Sequence, residues 1–246
     1  IFGYTLLPGT EFYRRREEFK IEAIPVAGYG KAKGEYVVGC HSFDRNEGEE
    51  GYFLISAHIL LVHGHIMPLT TRLLALRSEV PVSPLFRDIL RDIIALLASE
   101  LADLDLENRM SIYEGRDRIY LTALARSEAL YHTIATTLEQ RHLALGVDPQ
   151  PALQALQLDQ ALCPRIGHES TQRKTFAFDA RQAFTALAAM EIPPAVAEDR
   201  SETSVEIHHP GGVGDILQVA DGGSWLRGVI QDEVKGSSEV QYVAVG

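Results

Sequence analysis

The stretch SPLFRDILRDIIALLASELADL, residues 83–104, decides the fold class. Ser83 followed by Pro84 is typical of a helix start, because the serine can cap the first N–H groups and the proline lacks an N–H that would have no partner. Apolar side chains then recur at helical spacing in one stripe, and the charged residues lie largely off it. The stripe consists of Leu85, Phe86, Ile89, Leu90, Ile93, Leu97, Leu101 and Leu104. The apolar stripe of such a helix has to be buried against other elements, so the sequence predicts a helical core.

Segments on both sides of this stretch extend the helical region. Residues from Tyr52 to about Met67 suit a nearly buried helix, which Pro68 limits or kinks. Apolar residues are also periodic over 116–145, where Gly146 and Pro149 end the helix. A helical middle over residues 51–166 is therefore expected.

The two ends of the chain are richer in strand and turn signals. Residues 1–7 are predicted to be a strand that stops at Pro8-Gly9, and Thr10 is placed to cap a short helix over 11–19. A strand is expected over 35–43 and a surface loop over 44–51. Beyond residue 167 we expect strands at 175–178, 204–208, 215–219 and 240–245, with one helix at 181–190. The fold class is thus α+β, with residues 167–246 as a small α+β tail.

Composition restricts the class of protein and its partners. The 246 residues are 46% hydrophobic and carry a net charge of −11. The negative charge of the protein would repel the phosphate backbone of a nucleic acid. Nucleic acid is not an expected partner. The longest apolar run, 53–67, is interrupted by histidines and is shorter than the roughly 20 residues of a membrane span, so none is predicted.

The two cysteines indicate the redox compartment of the protein, and the first residues indicate an expectation about the length of the full protein. Cys40 and Cys163 are too few for a disulfide framework and too far apart for a zinc or iron–sulfur motif, which favours a reducing, cytoplasmic setting. The chain starts at Ile1 without an initiator Met or a signal-peptide pattern, and we expect it to be a fragment of a longer protein.

Nine histidines raise the question of a metal site. On a regular α-helix, His58 and His65 would share a face about 10 Å apart, while His63 would point elsewhere. The three cannot then hold one ion, so no metal ligand is predicted there. No self-contained catalytic motif is present either, and the catalytic residues remain unknown.

The segment FGYTLLPGTEF, residues 2–12, carries a family resemblance. It resembles the late strand and P-G-T-E turn that close the barrel of radical S-adenosylmethionine enzymes, particularly the branch with an N-terminal cobalamin-binding domain. In that branch the turn leads into a short charged helix and a variable C-terminal extension, as residues 14–19 and those after them do here. The resemblance covers residues 2–19 of the chain. It implies that residues 1–50 form the end of a (β/α) barrel plus an irregular extension.

The resemblance also implies the cofactors and a site. The full-length protein would use S-adenosylmethionine, an iron–sulfur cluster and, in this branch, cobalamin, and its cluster motif C-x-x-x-C-x-x-C would lie outside this chain. This chain alone would bind none of them and would not be catalytic alone. Leu7, Pro8 and Gly9 would lie near the adenosyl group. The implied partners are the rest of its own polypeptide and an unidentified small-molecule or peptide substrate, converted by methyl transfer or radical rearrangement.

Two other functions fit the residues. An acidic, stand-alone helical protein-interaction module would use the stripe of residues 85–104. A histidine-based metalloprotein would need two or three distant histidines to converge. The candidates are His41, His58, His63, His65, His168, His208 and His209.

Overall fold

The computed structural model describes residues 5–26, 34–163, 170–193, 203–209 and 239–241. These residues form eight α-helices, one π-helical turn and two three-stranded antiparallel sheets, which confirms an α+β, mostly helical fold. The helices are α1 (Glu11–Arg14), α2 (Arg45–His58), α3 (Pro68–Arg77), α4 (Val82–Leu96), α5 (Arg109–Ala125), α6 (Ser127–Ala144), α7 (Gln150–Leu162) and α8 (Ala180–Ala188). The π-helical turn (Ile59–His63) continues α2. The strands are β1 (Thr5–Leu6), β2 (Glu22–Pro25), β3 (Glu35–Gly39), β4 (Ser170–Phe176), β5 (Thr203–His209) and β6 (Glu239–Gln241).

The N-terminal sheet has the strand order β1-β3-β2, so β3 is central and β1 is an edge strand. Thr5 lies opposite Tyr36 in the antiparallel pair of β1 and β3. The strand expected over 35–43 is confirmed for Glu35–Gly39. The helix expected over 11–19 is α-helical only for Glu11–Arg14, since the chain continues in turns and reverses at Lys20, which has a φ of 51°.

The surface loop predicted over 44–51 is wrong, because helix α2 begins at Arg45. Asp44 and Glu47 form a capping box: the Asp44 side chain accepts from the Glu47 N–H at 2.9 Å, and the Asp44 N–H donates to the Glu47 carboxylate at 3.0 Å. These acidic residues therefore start a helix.

Helix α4 begins slightly earlier than predicted. Pro81, and not Ser83, occupies the N-cap position, and the helix ends at Leu96. The stripe nevertheless continues into the following turns, where Leu97 and Leu101 are fully buried.

The long helix predicted over 116–145 is divided in two at Arg126. Asn108 caps α5 through hydrogen bonds from the N–H groups of Met110 and Ser111, so that helix also starts earlier than predicted. The Arg126 guanidinium donates to the carbonyl of Leu96 at 2.9 Å and to Glu100 at 2.8 Å. These contacts fix the break between α5 and α6 against the end of α4.

The largest apolar cluster of the described residues is built from α2, the π-helical turn, α4, α5, α6 and α7, and it includes Leu74 of α3. A second cluster joins Leu69 and Leu73 of α3 and Leu158 of α7 to the tail, through Phe176 and Ile207. A third cluster lies under the N-terminal sheet, where the rings of Tyr36, Tyr52 and Tyr113 meet edge to face.

In the tail, β4 and β5 form a seven-residue antiparallel ladder, in which Lys174 lies opposite Val205. The predicted strand at 204–208 is confirmed, and the helix at 181–190 corresponds to α8. The strand predicted at 175–178 begins earlier, at Ser170, and ends at Phe176. The predicted strand 215–219 lies outside the described residues, and only residues 240–241 of the strand 240–245 lie within them, in β6.

Among the described helices, none is by itself both long and apolar enough to cross a membrane. Residues Arg45–His63 and Pro68–Arg77 reach that length and composition only together, and a bend of 111° separates them.

Candidate functional site at the N-terminal turn

The turn after β1 contains the three residues that the family resemblance singles out. Leu6 is buried, and Leu7, Pro8 and Gly9 follow it as exposed residues. Thr10 closes the turn, because its N–H and its hydroxyl both donate to the carbonyl of Leu7, at 3.2 and 2.8 Å. The sequence therefore fixes the backbone of this turn locally, before any partner binds.

Gly9 is the residue that lets the turn form. Its φ of 89° lies in the left-handed region that side chains disfavour. A Cβ built at Gly9 would have no atom within 4 Å, so the space beside it is open. Another group could therefore approach the backbone here directly.

Helix α1 continues the exposed surface. The Thr10 hydroxyl accepts from the N–H of Tyr13 at 3.2 Å and so caps this helix. Phe12, on the first turn, is 48% exposed, and Leu7 is 47% exposed. We call Leu7, Pro8, Gly9 and Phe12 the turn face. It is apolar, and it adjoins β1, which pairs with β3 on one side only within the described residues.

Charged residues flank the turn face and hold it to the sheet. Arg15 forms ion pairs with Glu11, at 2.8 Å, and with Glu18. Arg16 reaches Glu35 of the central strand at 3.2 Å. Hydrogen bonds from Arg15 lower the pKa of Glu18, so this carboxylate stays ionised at neutral pH. These ion pairs thus position the turn against the N-terminal sheet.

Two cavities in the described part of the chain lie away from the turn face. One, of about 520 Å³, lies between α3, α7 and α8 and is mainly apolar, with Arg77, Glu79 and Asp148 at its rim. Another, of about 770 Å³, is more open and lies between the start of α6 and β4. The turn face is therefore an exposed surface and not a closed pocket.

The histidines are arranged differently from the sequence prediction. The rings of His58 and His63 are in contact, with centroids 5.0 Å apart. The prediction that His63 points away from His58 is wrong, because the π-helical turn changes the helical phase between them. His41 lies near Phe19, with ring centroids 6.4 Å apart. His168 and the side chains of His208 and His209 lie outside the described residues.

A buried polar cluster that the sequence did not predict surrounds the start of α3. Asp159 of α7 is 1% exposed and accepts from the N–H groups of Leu69 and Thr70, at 2.9 and 2.8 Å, and from the Thr70 hydroxyl at 2.7 Å. Tyr131 donates to the carbonyl of Ile66 at 2.5 Å, and Tyr120 to that of Gly64 at 2.8 Å. Asp159 thus caps α3 from another helix, and the two tyrosines fix the preceding bend.

The two cysteines have different surroundings. Cys163 is buried beside Tyr131, and Cys40 is half-buried and accepts a weak hydrogen bond from the N–H of Ser42 at 3.4 Å. No group of three or more His, Cys, Asp or Glu side chains converges among the described residues.

No protein-family model matches the chain, and no curated protein matches it significantly.

Proposed function

We propose that this chain is the C-terminal region of a radical S-adenosylmethionine enzyme of the branch with an N-terminal cobalamin-binding domain. In this proposal β1 and its turn close the catalytic barrel, and the helical middle covers the substrate side. The iron–sulfur cluster, S-adenosylmethionine and cobalamin are bound elsewhere in the full-length protein, which acts in the cytoplasm on a small-molecule or peptide substrate by methyl transfer or rearrangement.

The exposed turn face supports this proposal most directly. Leu7, Pro8 and Gly9 are exposed. Gly9 has a left-handed backbone conformation and no atom within 4 Å of where a Cβ would lie, so a ligand can reach the backbone at the end of β1. In barrel enzymes, ligands bind at the C-terminal ends of the strands, where such backbone can approach them closely. Within the described residues β1 pairs on one side only, which leaves an edge on which a further strand can add.

The alternative of a helical interaction module loses its main argument. The apolar stripe of α4 is buried in the largest cluster, where Leu85, Ile89 and Ile93 are 0% exposed. This stripe therefore packs internally and does not offer a free face to another protein.

The proposal is tested by expressing the chain anaerobically together with its native upstream sequence. The expected results are iron–sulfur absorption and cleavage of S-adenosylmethionine to 5′-deoxyadenosine. An upstream sequence without the three-cysteine motif, together with no cleavage, would refute the assignment.

A pair of matched variants tests the turn face itself. Leu7→Glu is expected to lower the rate of cleavage at least tenfold, because it places a charge on the apolar surface that the proposal sets beside the adenosyl group. Leu145→Glu is the control, since Leu145 is 49% exposed and lies at the end of α6. Far-UV circular dichroism should be unchanged in both, and equal activities would argue against a role for Leu7.

A further inference from the structure

His58 and His63 lie side by side because the helix widens between them. His58 is the last residue of α2, and His63 is the last residue of the π-helical turn. The N–H of Gly64 donates to the carbonyl of Ile59 at 2.8 Å, five residues back. In a regular α-helix, residues five apart point about 140° away from each other. The π-helical turn brings the two rings together, and such turns occur frequently at functional sites.

The described residues leave the ring nitrogens of both imidazoles, those of His58 and His63, without a hydrogen bond. His58 is half-buried against Phe86, with ring centroids 6.3 Å apart, and His63 is exposed. A neutral imidazole has one nitrogen lone pair available to a metal ion.

The separation of the two rings matches that of two ligands on one ion. With metal–nitrogen bonds of about 2.0–2.1 Å and a ligand angle between 90° and the tetrahedral value, the ring centroids lie about 4.5–5.2 Å apart. The observed separation is 5.0 Å. We propose that His58 and His63 form a two-histidine site for a divalent transition-metal ion such as Cu²⁺, Ni²⁺ or Zn²⁺.

Since the described residues offer no further ligand, water completes the coordination of the ion in this proposal. No third His, Cys, Asp or Glu side chain joins the pair among the described residues. The site therefore has open coordination positions and exchanges its ion readily, unlike a closed structural zinc site. It prefers ions that favour imidazole nitrogen, and of these Cu²⁺ binds such ligands most tightly.

The site is tested by titrating the native chain with Cu²⁺ at pH 7 in a non-coordinating buffer. Calorimetry gives the affinity, and electron paramagnetic resonance shows whether two nitrogens bind the ion. His63→Ala is the decisive variant, because His63 is exposed and its removal leaves the core intact. We expect it to weaken binding at this site at least tenfold, with an unchanged circular dichroism spectrum. His58→Ala should do the same.

Two controls separate this site from other histidines. His132→Ala removes an exposed histidine from α6 and should leave the affinity unchanged. Zn²⁺ should shift the ring-proton NMR signals of His58 and His63 together, before those of His41 or His132. Equal affinity in His63→Ala and the native chain, or Zn²⁺ shifts that spare both rings, would overturn the proposal. None of these results depends on S-adenosylmethionine chemistry.

Discussion

At the scale of single residues, Gly48 determines how closely helix α2 can lie on strand β3. A Cβ at Gly48 would come within 1.9 Å of the carbonyl oxygen of Val38, which is backbone and cannot move aside cheaply. Gly48→Ala should therefore lower the free energy of unfolding by about 3 kcal/mol or more, at the upper end of overpacking effects. Urea unfolding measures this change.

Gly51, one turn later in the same helix, is the matched control. A Cβ there would meet no atom within 4 Å. Gly51→Ala should stabilise the protein by about 0.5–1 kcal/mol, because alanine loses less backbone entropy in a helix. Equal effects of the two substitutions would contradict the close contact between α2 and β3.

Asp159 makes the stability of the protein depend on pH. Burial raises its pKa to about 7, although the hydrogen bonds from Thr70 and Leu69 and the charge of Arg72 oppose the shift. Between about pH 4 and 7 the folded state keeps the proton that the unfolded state has lost. The free energy of unfolding should therefore fall as the pH rises through this range, by up to about 4 kcal/mol, and change no further from this group above it.

Asp159→Asn should remove this part of the pH dependence, whatever its effect on absolute stability. Thermal unfolding of both proteins between pH 4.5 and 8 provides the comparison. Asp105→Asn, at an exposed aspartate in the loop before α5, is the control and should keep the native slope. A native slope retained in Asp159→Asn would show that other groups cause it.

At the scale of elements, the start of α2 depends on its capping box. Asp44→Ala removes the acceptor of the Glu47 N–H and should cost about 1 kcal/mol of stability. Asp44→Ser should restore most of it, since a serine hydroxyl can accept the same hydrogen bond. Urea unfolding distinguishes the two, and equal losses in both variants would show that the cap contributes little.

Local chemistry explains which elements the sequence could predict. The Thr10 cap, the stripe of residues 85–104 and the strand at 35–39 each depend on neighbouring residues, and each is present. The signal for α2 was available as well, because Asp44 and Glu47 have capping-box spacing. The acidic, glycine-containing composition of residues 44–51 is also typical of a surface loop, which is why the sequence favoured a loop there.

Other features depend on residues far apart in the chain. The break at Arg126 is fixed by contacts with Leu96 and Glu100, and the cap of α3 comes from Asp159, which lies 89 residues beyond Thr70. Likewise, the contact between His58 and His63 follows from a π-helical turn that periodicity at 3.6 residues does not anticipate. At the turn face, the turn at Pro8-Gly9 and the Thr10 cap are present as predicted, while a cofactor contact at Leu7, Pro8 and Gly9 stays a prediction.

At the scale of the whole molecule, the tail is attached to the helical middle by a shared cluster. Phe176 of β4 is 1% exposed and belongs to the same cluster as Leu69 and Leu73 of α3. The sequence places the boundary between these regions at residue 167, and the cluster crosses it. The described part of the tail should therefore unfold together with the helices.

Phe176→Ala tests this coupling, because it removes a large buried side chain from the shared cluster. It should cost about 3–5 kcal/mol, and the thermal transition followed by helical circular dichroism should move to lower temperature as one step. Phe12→Ala, at a half-exposed phenylalanine of the turn face, should change stability by less than about 1 kcal/mol. If the helical transition stays in place while the tail becomes sensitive to protease, the two regions unfold independently. The shared cluster would then hold the tail in position without stabilising the helices.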